Sequence, residues 1–166
     1  FQSPVFVARG IRLHRHGRRV GGVTLRTGET ITAACTLVAA GGDSLELIKT
    51  VGVTLPITRD AGQIIQLVGL PTPSHLVLAD HVSCVGKPVG SLWVTGIHRS
   101  DMPVGITFED TLALWEPTAA LFGQEGRLQQ AWSGVRPRAP GGVPFIGALP
   151  GCPGLLVAVG HGSNGY

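Results

Sequence analysis

An apolar strand that runs directly into a glycine-rich turn is the strongest constraint in this sequence. The segment reads Leu155-Leu-Val-Ala-Val-Gly-His-Gly-Ser-Asn-Gly165. Its five apolar residues suit a buried strand, and glycines in the turn let the backbone approach a ligand closely. If a helix begins at this turn, its unpaired N–H groups and positive dipole end stabilise a carboxylate, a phosphate or an anionic ring. The segment therefore predicts a backbone site for an anion or a cofactor.

The turn also matches the GxGxxG pattern of dinucleotide-binding Rossmann folds. That fingerprint requires a following helix, a second parallel strand and an acidic residue about 20 positions further on. The sequence has one residue after Gly165, so those parts are absent from it. We therefore expect a ligand-facing turn rather than a complete dinucleotide fingerprint.

A second stretch, Trp132–Gly147, places Arg136 among prolines and glycines. A planar guanidinium grips a carboxylate through two hydrogen bonds, and Pro137 beside it limits local freedom. The alternative is a surface arginine in a proline-rich loop. From the residues alone both interpretations stay open. Together the two stretches suggest a site for an acidic small molecule beside a cofactor-binding turn.

Composition excludes several classes of protein. The chain has 166 residues, 43% of them apolar and 14% charged, which is typical of a globular domain with a real core. Its 25 glycines and 12 prolines favour many turns and β structure. No apolar run reaches the roughly 18 residues that span a bilayer, and no secretory signal is visible.

Neither the net charge nor the spacing of possible metal ligands indicates a nucleic-acid or metal partner. The net charge of +3 is too weak to argue for nucleic acid, and the basic run Arg9–Arg19 lacks aromatic residues, as in a solvated hairpin. Cys35, Cys84 and Cys152 show no zinc spacing, so we expect buried or idle thiols in a reducing cytoplasm. The pairs His14 with His16 and His81 with Cys84 offer two ligands each, which do not make a site.

The N-terminal third predicts a three-stranded antiparallel meander, with alternation at Ile11 and Leu13, at Val23 and Leu25, and from Ile31 to Cys35. The apolar run Thr36–Ala40 then predicts a strand buried on both faces. After Gly41-Gly42 we expect a helix over 45–51, capped by Asp43 or Ser44.

The middle of the chain contains several segments whose composition favours extended strands. Strands are predicted at Leu55–Ile57, Gly62–Val68 and Ser91–Thr95. Thr107 is expected to cap a helix whose apolar side carries Leu112 and Trp115. Pro117 is predicted to end that helix and to begin a second one through Phe122.

Four motifs in order resemble the C-terminal half of the FAD-dependent D-amino acid oxidase-type family, which includes glycine oxidases and D-amino acid dehydrogenases. They are Gly22-Val-Thr-Leu-x-Thr-Gly28, Leu37-Val-Ala-Ala-Gly41, Leu55-Pro-Ile57 with Gly62-Gln63, and Trp132-x-Gly-x-Arg-Pro137 with Pro144-x-Ile-Gly147 and the Gly160–Gly165 turn. The resemblance implies an α/β (α+β) fold, namely part of a two-lobed FAD/NAD(P)-binding-type flavoprotein with an antiparallel substrate-domain sheet. It assigns residues 1–54 and 131–166 to the FAD-binding domain and residues 55–130 to the substrate-binding domain.

The resemblance also implies an enzyme, an FAD-dependent amino acid oxidase or dehydrogenase. Hydride transfer from the α-carbon of an amino acid or related amine to flavin gives an imine and then a keto acid. Electrons pass to oxygen or to a quinone of the respiratory chain, and the protein is placed in the cytoplasm or peripherally at the inner membrane. The flavin supplies the difficult chemistry, while the protein orients and tunes it.

Site residues follow from the same resemblance. Arg136 matches the arginine that holds the substrate carboxylate, and His161 is a second candidate substrate-binding residue. The glycine turn matches the one at the pyrimidine edge of the flavin. The residues expected at the cofactor are Ala40, Gly41, Gly42, Gly147, Gly160, His161, Gly162, Ser163, Asn164 and Gly165.

Departures from the family pattern shape the expectation. Gly141 stands where the family usually has Asp, and Gly42 where it often has Trp. Ser163 stands where glycine oxidases carry Arg, which favours the dehydrogenase or opine branches. We expect a fragment that lacks an N-terminal half or a partner subunit, holds FAD weakly and is inactive alone. The alternatives are a non-catalytic domain or subunit that binds a small carboxylate, and a small β-rich binding protein with an accidental likeness.

Overall fold

The computed structural model of the chain describes residues 5, 7–79, 81–96, 99–100 and 104–164. The chain divides into two compact units. Unit 1 consists of Phe1–Thr58 and Pro137–Tyr166, and unit 2 consists of Arg59–Arg136. Strands predominate in both units.

The strands are β1 (Gly10–His16), β2 (Arg19–Leu25), β3 (Thr30–Thr32), β4 (Thr36–Val38), β5 (Thr58–Val68), β6 (Val77–Ala79), β7 (Val82–Lys87), β8 (Ser91–Thr95), β9 (Arg99–Ser100), β10 (Arg127–Arg138), β11 (Phe145–Ala148) and β12 (Leu155–Val159). The helices are α1 (Ser44–Lys49) and α2 (Phe108–Phe122). Within the described residues, no helix combines the length and the apolar character needed to cross a membrane.

Unit 1 begins with the predicted meander. Strands β1, β2 and β3 form an antiparallel sheet in which Leu13 pairs with Val23, and Val23 pairs with Ile31. Gly17 and Gly28 occupy the two turns with positive φ, which glycine adopts without a steric penalty. The prediction of a three-stranded meander is confirmed.

A second sheet of unit 1 has the order β11-β12-β4, with β12 parallel to β4. The prediction of a strand over 36–40 buried on both faces is wrong in two respects. The strand ends at Val38, and Leu37 is 60% exposed. Because β4 lies at the edge of this sheet, only its Val38 side packs into the core of the unit. The buried residues of that core are Leu13, Val20, Val38, Ile48, Val51, Leu149, Cys152, Leu155, Val157 and Val159.

Helix α1 confirms the helix predicted over 45–51, and it buries Ile48 completely. The predicted cap is wrong, because neither candidate side chain makes a capping hydrogen bond. Asp43 occupies the N-cap position with φ −81° and ψ −10°. It continues the 3₁₀ turn Gly41–Asp43 and so lacks the extended backbone from which an N-cap side chain folds back.

Unit 2 is built on a sheet with the order β10-β5-β8-β7-β6, and β9 also pairs with β5. The predicted strands Gly62–Val68 and Ser91–Thr95 are confirmed as parts of β5 and β8. Ile65 and Leu67 are fully buried, whereas Ile64 and Gln66 between them are half-buried. This alternation gives the sheet one core face and one half-exposed face.

The strand predicted at Leu55–Ile57 is wrong. The backbone N–H of Ile57 donates to the carbonyl of Leu55 at 2.8 Å, and no strand includes these residues. Pro56 has no N–H for a ladder, so the segment forms a local turn instead.

Helix α2 begins as predicted, because the Thr107 hydroxyl accepts a hydrogen bond from the Asp110 N–H at 3.0 Å. The prediction that Pro117 ends the helix is wrong, since α2 continues to Phe122. The helix is held on both sides of the proline by the fully buried side chains of Leu114 and Thr118. Tertiary packing therefore outweighs the local cost of the missing hydrogen bond.

The buried face of α2 also differs from the expected one. Leu114 is completely buried against the core of unit 2, whereas Leu112 is 37% exposed. Trp115 is half-buried at the edge of the same cluster. The apolar side is therefore centred on Leu114, with Trp115 at its border and Leu112 outside it.

Candidate functional site

Arg136 lies across the neighbouring strands of unit 2. Its Nη2 donates a hydrogen bond to Oγ1 of Thr95 on β8 at 2.8 Å. A Cβ atom built on Gly62 of β5 would overlap Nη1 of Arg136 and lie 2.5 Å from its Cζ. The guanidinium therefore rests directly on the backbone of Gly62. The residue predicted to hold a carboxylate is half-buried in a defined position.

Thr95 connects this guanidinium to the interior of unit 2. Its hydroxyl donates to the backbone carbonyl of Gln63 at 3.2 Å. The Gln63 side chain, 1% exposed, accepts from the N–H of Thr107 at 3.0 Å and donates to Oγ1 of Thr111 at 2.7 Å. A chain of hydrogen bonds thus runs from the start of α2 to Arg136.

Two tryptophans lie on the same strands. Trp93 and Trp132 meet edge to face with their ring centroids 4.9 Å apart, and the Lys87 ammonium lies 4.3 Å from the Trp93 ring centroid. Trp93 is two residues from Thr95 on β8, so both side chains point to the same face of the sheet. That face combines a cationic group with an apolar, aromatic wall, which suits an organic acid with a carbon skeleton.

The predicted cofactor residues of unit 1 gather at the carboxyl ends of two parallel strands. Val38 of β4 pairs with Val157 of β12, so the segments that follow these strands leave from the same edge of the sheet. Ala40, Gly41 and Gly42 follow β4, and Gly160 and His161 follow β12. Ligands of open α/β sheets bind outside the carboxyl ends of their strands. The candidates therefore share one edge of this sheet, and their binding of a cofactor stays a prediction.

Gly160 makes the tightest approach in this region. It has φ +89°, and a Cβ atom there would lie 2.8 Å from Cβ of Ala139. Its carbonyl accepts from the N–H of Ala139 at 3.2 Å, and Arg138 and His161 form an isolated antiparallel bridge. The glycine turn is therefore held by backbone contacts with Arg138, the last residue of β10, and with Ala139, which follows it.

The remaining cofactor candidates surround this turn. Gly162–Asn164 form a 3₁₀ turn in which Gly162 has φ +60° and Ser163 is exposed. Gly147 lies on β11 opposite Val157 and is exposed. Gly165 lies outside the described residues.

Sequence patterns did not reveal two partners of Arg136. Gly62 was noted only as part of a motif, and Thr95 only as the end of a strand. Thr95 is 41 residues away from Arg136 along the chain. The alternation of β5 and β8 indicates which of their residues share a face, but nothing in one sequence fixes which strands are neighbours.

The described part of the chain contains no group of three or more His, Cys, Asp or Glu residues arranged to hold a metal ion. His14 and His16 place their Nε2 atoms 3.2 Å apart as a pair. Cys35 is exposed and Cys152 is buried. Burial raises the pKa of the Cys84 thiol, and a hydrogen bond with Thr118 opposes that shift.

The family model of FAD dependent oxidoreductases matches residues 6–166. A glycine oxidase of Pseudomonas aeruginosa is 33% identical over 155 residues, which cover 91% of this chain and 42% of that protein. A D-amino acid dehydrogenase of Paramagnetospirillum magneticum is 30% identical over 162 residues, covering 90% of this chain and 37% of that protein. The crystal structure of a glycine oxidase from Geobacillus kaustophilus superposes with a TM-score of 0.81 at 22% identity, over 95% of this chain and 44% of that chain.

These matches confirm the resemblance seen in the motifs. They also confirm the fold class, a sheet-dominated α+β arrangement shared with FAD-dependent oxidases. The chain spans about two fifths of the length of the curated relatives it matches. Because the family model matches nearly the whole sequence, residues 6–166, the chain belongs to the family of FAD dependent oxidoreductases.

Proposed function

We propose that this chain is part of a flavoenzyme that oxidises the CH–NH bond of an amino acid or a related amine. The observation that carries the proposal is the position of Arg136, laid on Gly62 and hydrogen-bonded to Thr95 on the half-exposed face of the sheet. The names of the relatives, glycine oxidase and D-amino acid dehydrogenase, support a substrate with both an amine and a carboxylate.

In this proposal Arg136 binds the substrate carboxylate. Its guanidinium is always charged and offers several parallel N–H donors, so it takes a carboxylate through two hydrogen bonds. Fixing the carboxylate fixes the direction of the Cα–H bond, which is the orientation that hydride transfer needs. His161, half-buried after β12, is proposed as a second substrate-binding residue.

The residues at the carboxyl ends of β4 and β12 fit a flavin. Gly41 and Gly162 have positive φ, and a Cβ atom on either would meet nothing within 4 Å, so the backbone there is open to a ligand. We assign Ala40, Gly41, Gly42, Gly147 and the segment 160–165 to FAD. A bound FAD would supply a hydride acceptor for the substrate Cα–H bond, and water would then hydrolyse the imine product to a keto acid and ammonia or the free amine. Backbone N–H groups of the turn would stabilise negative charge on the ring.

The same proposal divides the chain between two domains. We propose that residues 1–54 and 131–166 belong to the FAD-binding domain and that residues 55–130 belong to the substrate domain. One relative is named an oxidase and the other a dehydrogenase, so the proposed electron acceptors are oxygen or a quinone. The proposed location is the cytoplasm, or peripherally at the inner membrane.

The test compares Arg136→Gln with Arg138→Gln in the flavin-loaded protein. The two arginines stand two residues apart on β10, and Arg138 is exposed. Glycine and a panel of D-amino acids are screened first, and KM is then measured for the best substrate. We expect Arg136→Gln to raise KM about 100-fold, the effect of removing one partner from a charged hydrogen-bonded pair, and Arg138→Gln to change it less than threefold. An unchanged KM in Arg136→Gln, or no oxidation of any amine, would overturn the proposal.

A further inference from the structure

We propose that Thr95 is a positioning residue, one that holds the Arg136 guanidinium in a single orientation for the carboxylate of a ligand. The inference rests on the proposed function of Arg136 and extends it to a residue that the family motifs do not include. It is carried by the hydrogen bonds around the Thr95 hydroxyl and by the contact of Arg136 with Gly62.

The direction of each hydrogen bond at Thr95 is fixed by chemistry. Arginine has only donors, so Oγ1 of Thr95 accepts the proton from Nη2 of Arg136 at 2.8 Å. A backbone carbonyl has only acceptor sites, so the Thr95 proton points to the carbonyl of Gln63 at 3.2 Å. The hydroxyl therefore cannot rotate without losing one of its two partners.

The carbonyl that orients Thr95 belongs to a strongly anchored residue. Gln63 is 1% exposed, and both ends of its amide are engaged at the start of α2. Its Oε1 accepts from the N–H of Thr107 at 3.0 Å, and its Nε2 donates to Oγ1 of Thr111 at 2.7 Å. Thr95 is therefore anchored, through Gln63, to the start of helix α2 and not to a loop.

Two contacts set the guanidinium plane. Gly62 supports Arg136 from below, because the absence of a side chain lets Nη1 and Cζ approach the strand backbone. Thr95 holds Nη2 at the side. A hydroxyl is uncharged, so it orients the cation without adding a negative charge that would compete with a carboxylate. An arginine ordered before the ligand arrives loses less rotamer freedom on binding.

The experiment compares Thr95→Val and Thr95→Ser with the parent in the flavin-loaded protein. Valine keeps the shape and removes the hydroxyl, while serine keeps the hydroxyl. Acetate and propionate are titrated as probes and followed by the flavin absorbance. KM is measured for an amino acid and for the matching amine without a carboxylate. We expect Thr95→Val to weaken probe binding and raise the amino acid KM about tenfold, the scale of a hydrogen bond to a charged group.

Rescue distinguishes positioning from packing. We expect Thr95→Ser to stay within threefold of the parent, and the KM of the carboxylate-free amine to be the same in all three proteins. Equal probe binding by Thr95→Val and the parent would overturn the inference, as would a failure of serine to rescue. Should Thr95→Val not fold, Thr95→Ala takes its place in the same comparison. If Arg136→Gln also binds the probes normally, the proposed function fails as well; if Arg136→Gln loses them, only the role of Thr95 is rejected.

Discussion

Arg136 can lie across β5 only because residue 62 has no side chain. A Cβ atom on Gly62 would overlap Nη1 of Arg136 and lie 2.5 Å from Cζ. Distances below about 3.0 Å are not seen for real Cβ atoms, so a methyl group there must displace the guanidinium. Gly62 also lacks a positive φ, which means that space, and not backbone conformation, requires glycine at this position.

Gly62→Ala is therefore expected to move Arg136 away from Thr95. The KM for a carboxylate substrate should rise at least tenfold, while the free energy of unfolding should fall by about 1 kcal/mol or less, because the displaced atoms are the far end of a flexible side chain. Gly134→Ala is the matched control, because Gly134 lies on β10 of the same sheet and its Cβ would meet nothing within 4 Å. Steady-state kinetics and urea unfolding measure both quantities. Equal effects of the two substitutions would contradict the prediction.

Local patterns predicted the parts of the fold that depend on neighbouring residues. The three-stranded meander, with its turns at Gly17 and Gly28, and the Thr107 cap are confirmed predictions, because each is set by a few consecutive side chains and their backbone angles. The carboxyl-end placement of the cofactor candidates follows from one parallel pair, β4 with β12, which the sequence did not predict.

Long-range pairing explains what the sequence could not reveal. Pro117 breaks helices in isolation, yet burial of Leu114 holds α2 together across it. The contacts of Arg136 with Gly62 and Thr95 depend on which strands flank β5, and alternation within a strand carries no such information. The family resemblance identified Arg136 as a candidate, whereas only the three-dimensional structure shows the residues that hold its guanidinium in place.

Gly160 provides a test of the glycine turn that does not depend on activity. Gly160→Ala combines two costs, a side chain at φ +89° and a Cβ 2.8 Å from Cβ of Ala139. Gly28→Ala carries only the first cost, since it has φ +91° and open space around its Cβ. We expect the loss in free energy of unfolding to be about 1–3 kcal/mol larger for Gly160→Ala. Equal losses in urea unfolding would mean that the contact with Ala139 relaxes freely.

The buried face of α2 is tested by a pair of leucines. Leu114→Ala removes a completely buried side chain and should lower the free energy of unfolding by about 2–5 kcal/mol. Leu112→Ala removes a side chain that is 37% exposed and should cost about 1 kcal/mol or less. The two variants have the same helix propensity change, so their difference in urea unfolding isolates burial. A larger effect at Leu112 would restore the face first expected from the sequence.

The thiol of Cys84 is expected to make the free energy of unfolding depend on pH in the alkaline range. Burial raises the pKa of this thiol above its ordinary value of 9.0, with the hydrogen bond to Thr118 acting in the opposite direction. Between the unfolded and the folded pKa the folded chain therefore binds more protons than the unfolded chain. The free energy of unfolding must then fall as pH rises above about 9, by at most about 1.4 kcal/mol per pH unit from this group.

Cys84→Ala removes the titration and serves as the reference for this effect. Urea unfolding of both proteins at intervals from pH 7 to pH 10.5 gives the difference between their free energies of unfolding, in which the contributions of groups common to both proteins cancel. We expect a constant difference up to about pH 8, followed by a change that favours Cys84→Ala as the pH rises, because the parent alone must keep a buried thiol protonated. A difference that stays constant through pH 10.5 would show that the thiol ionises in the folded chain as readily as in the unfolded one.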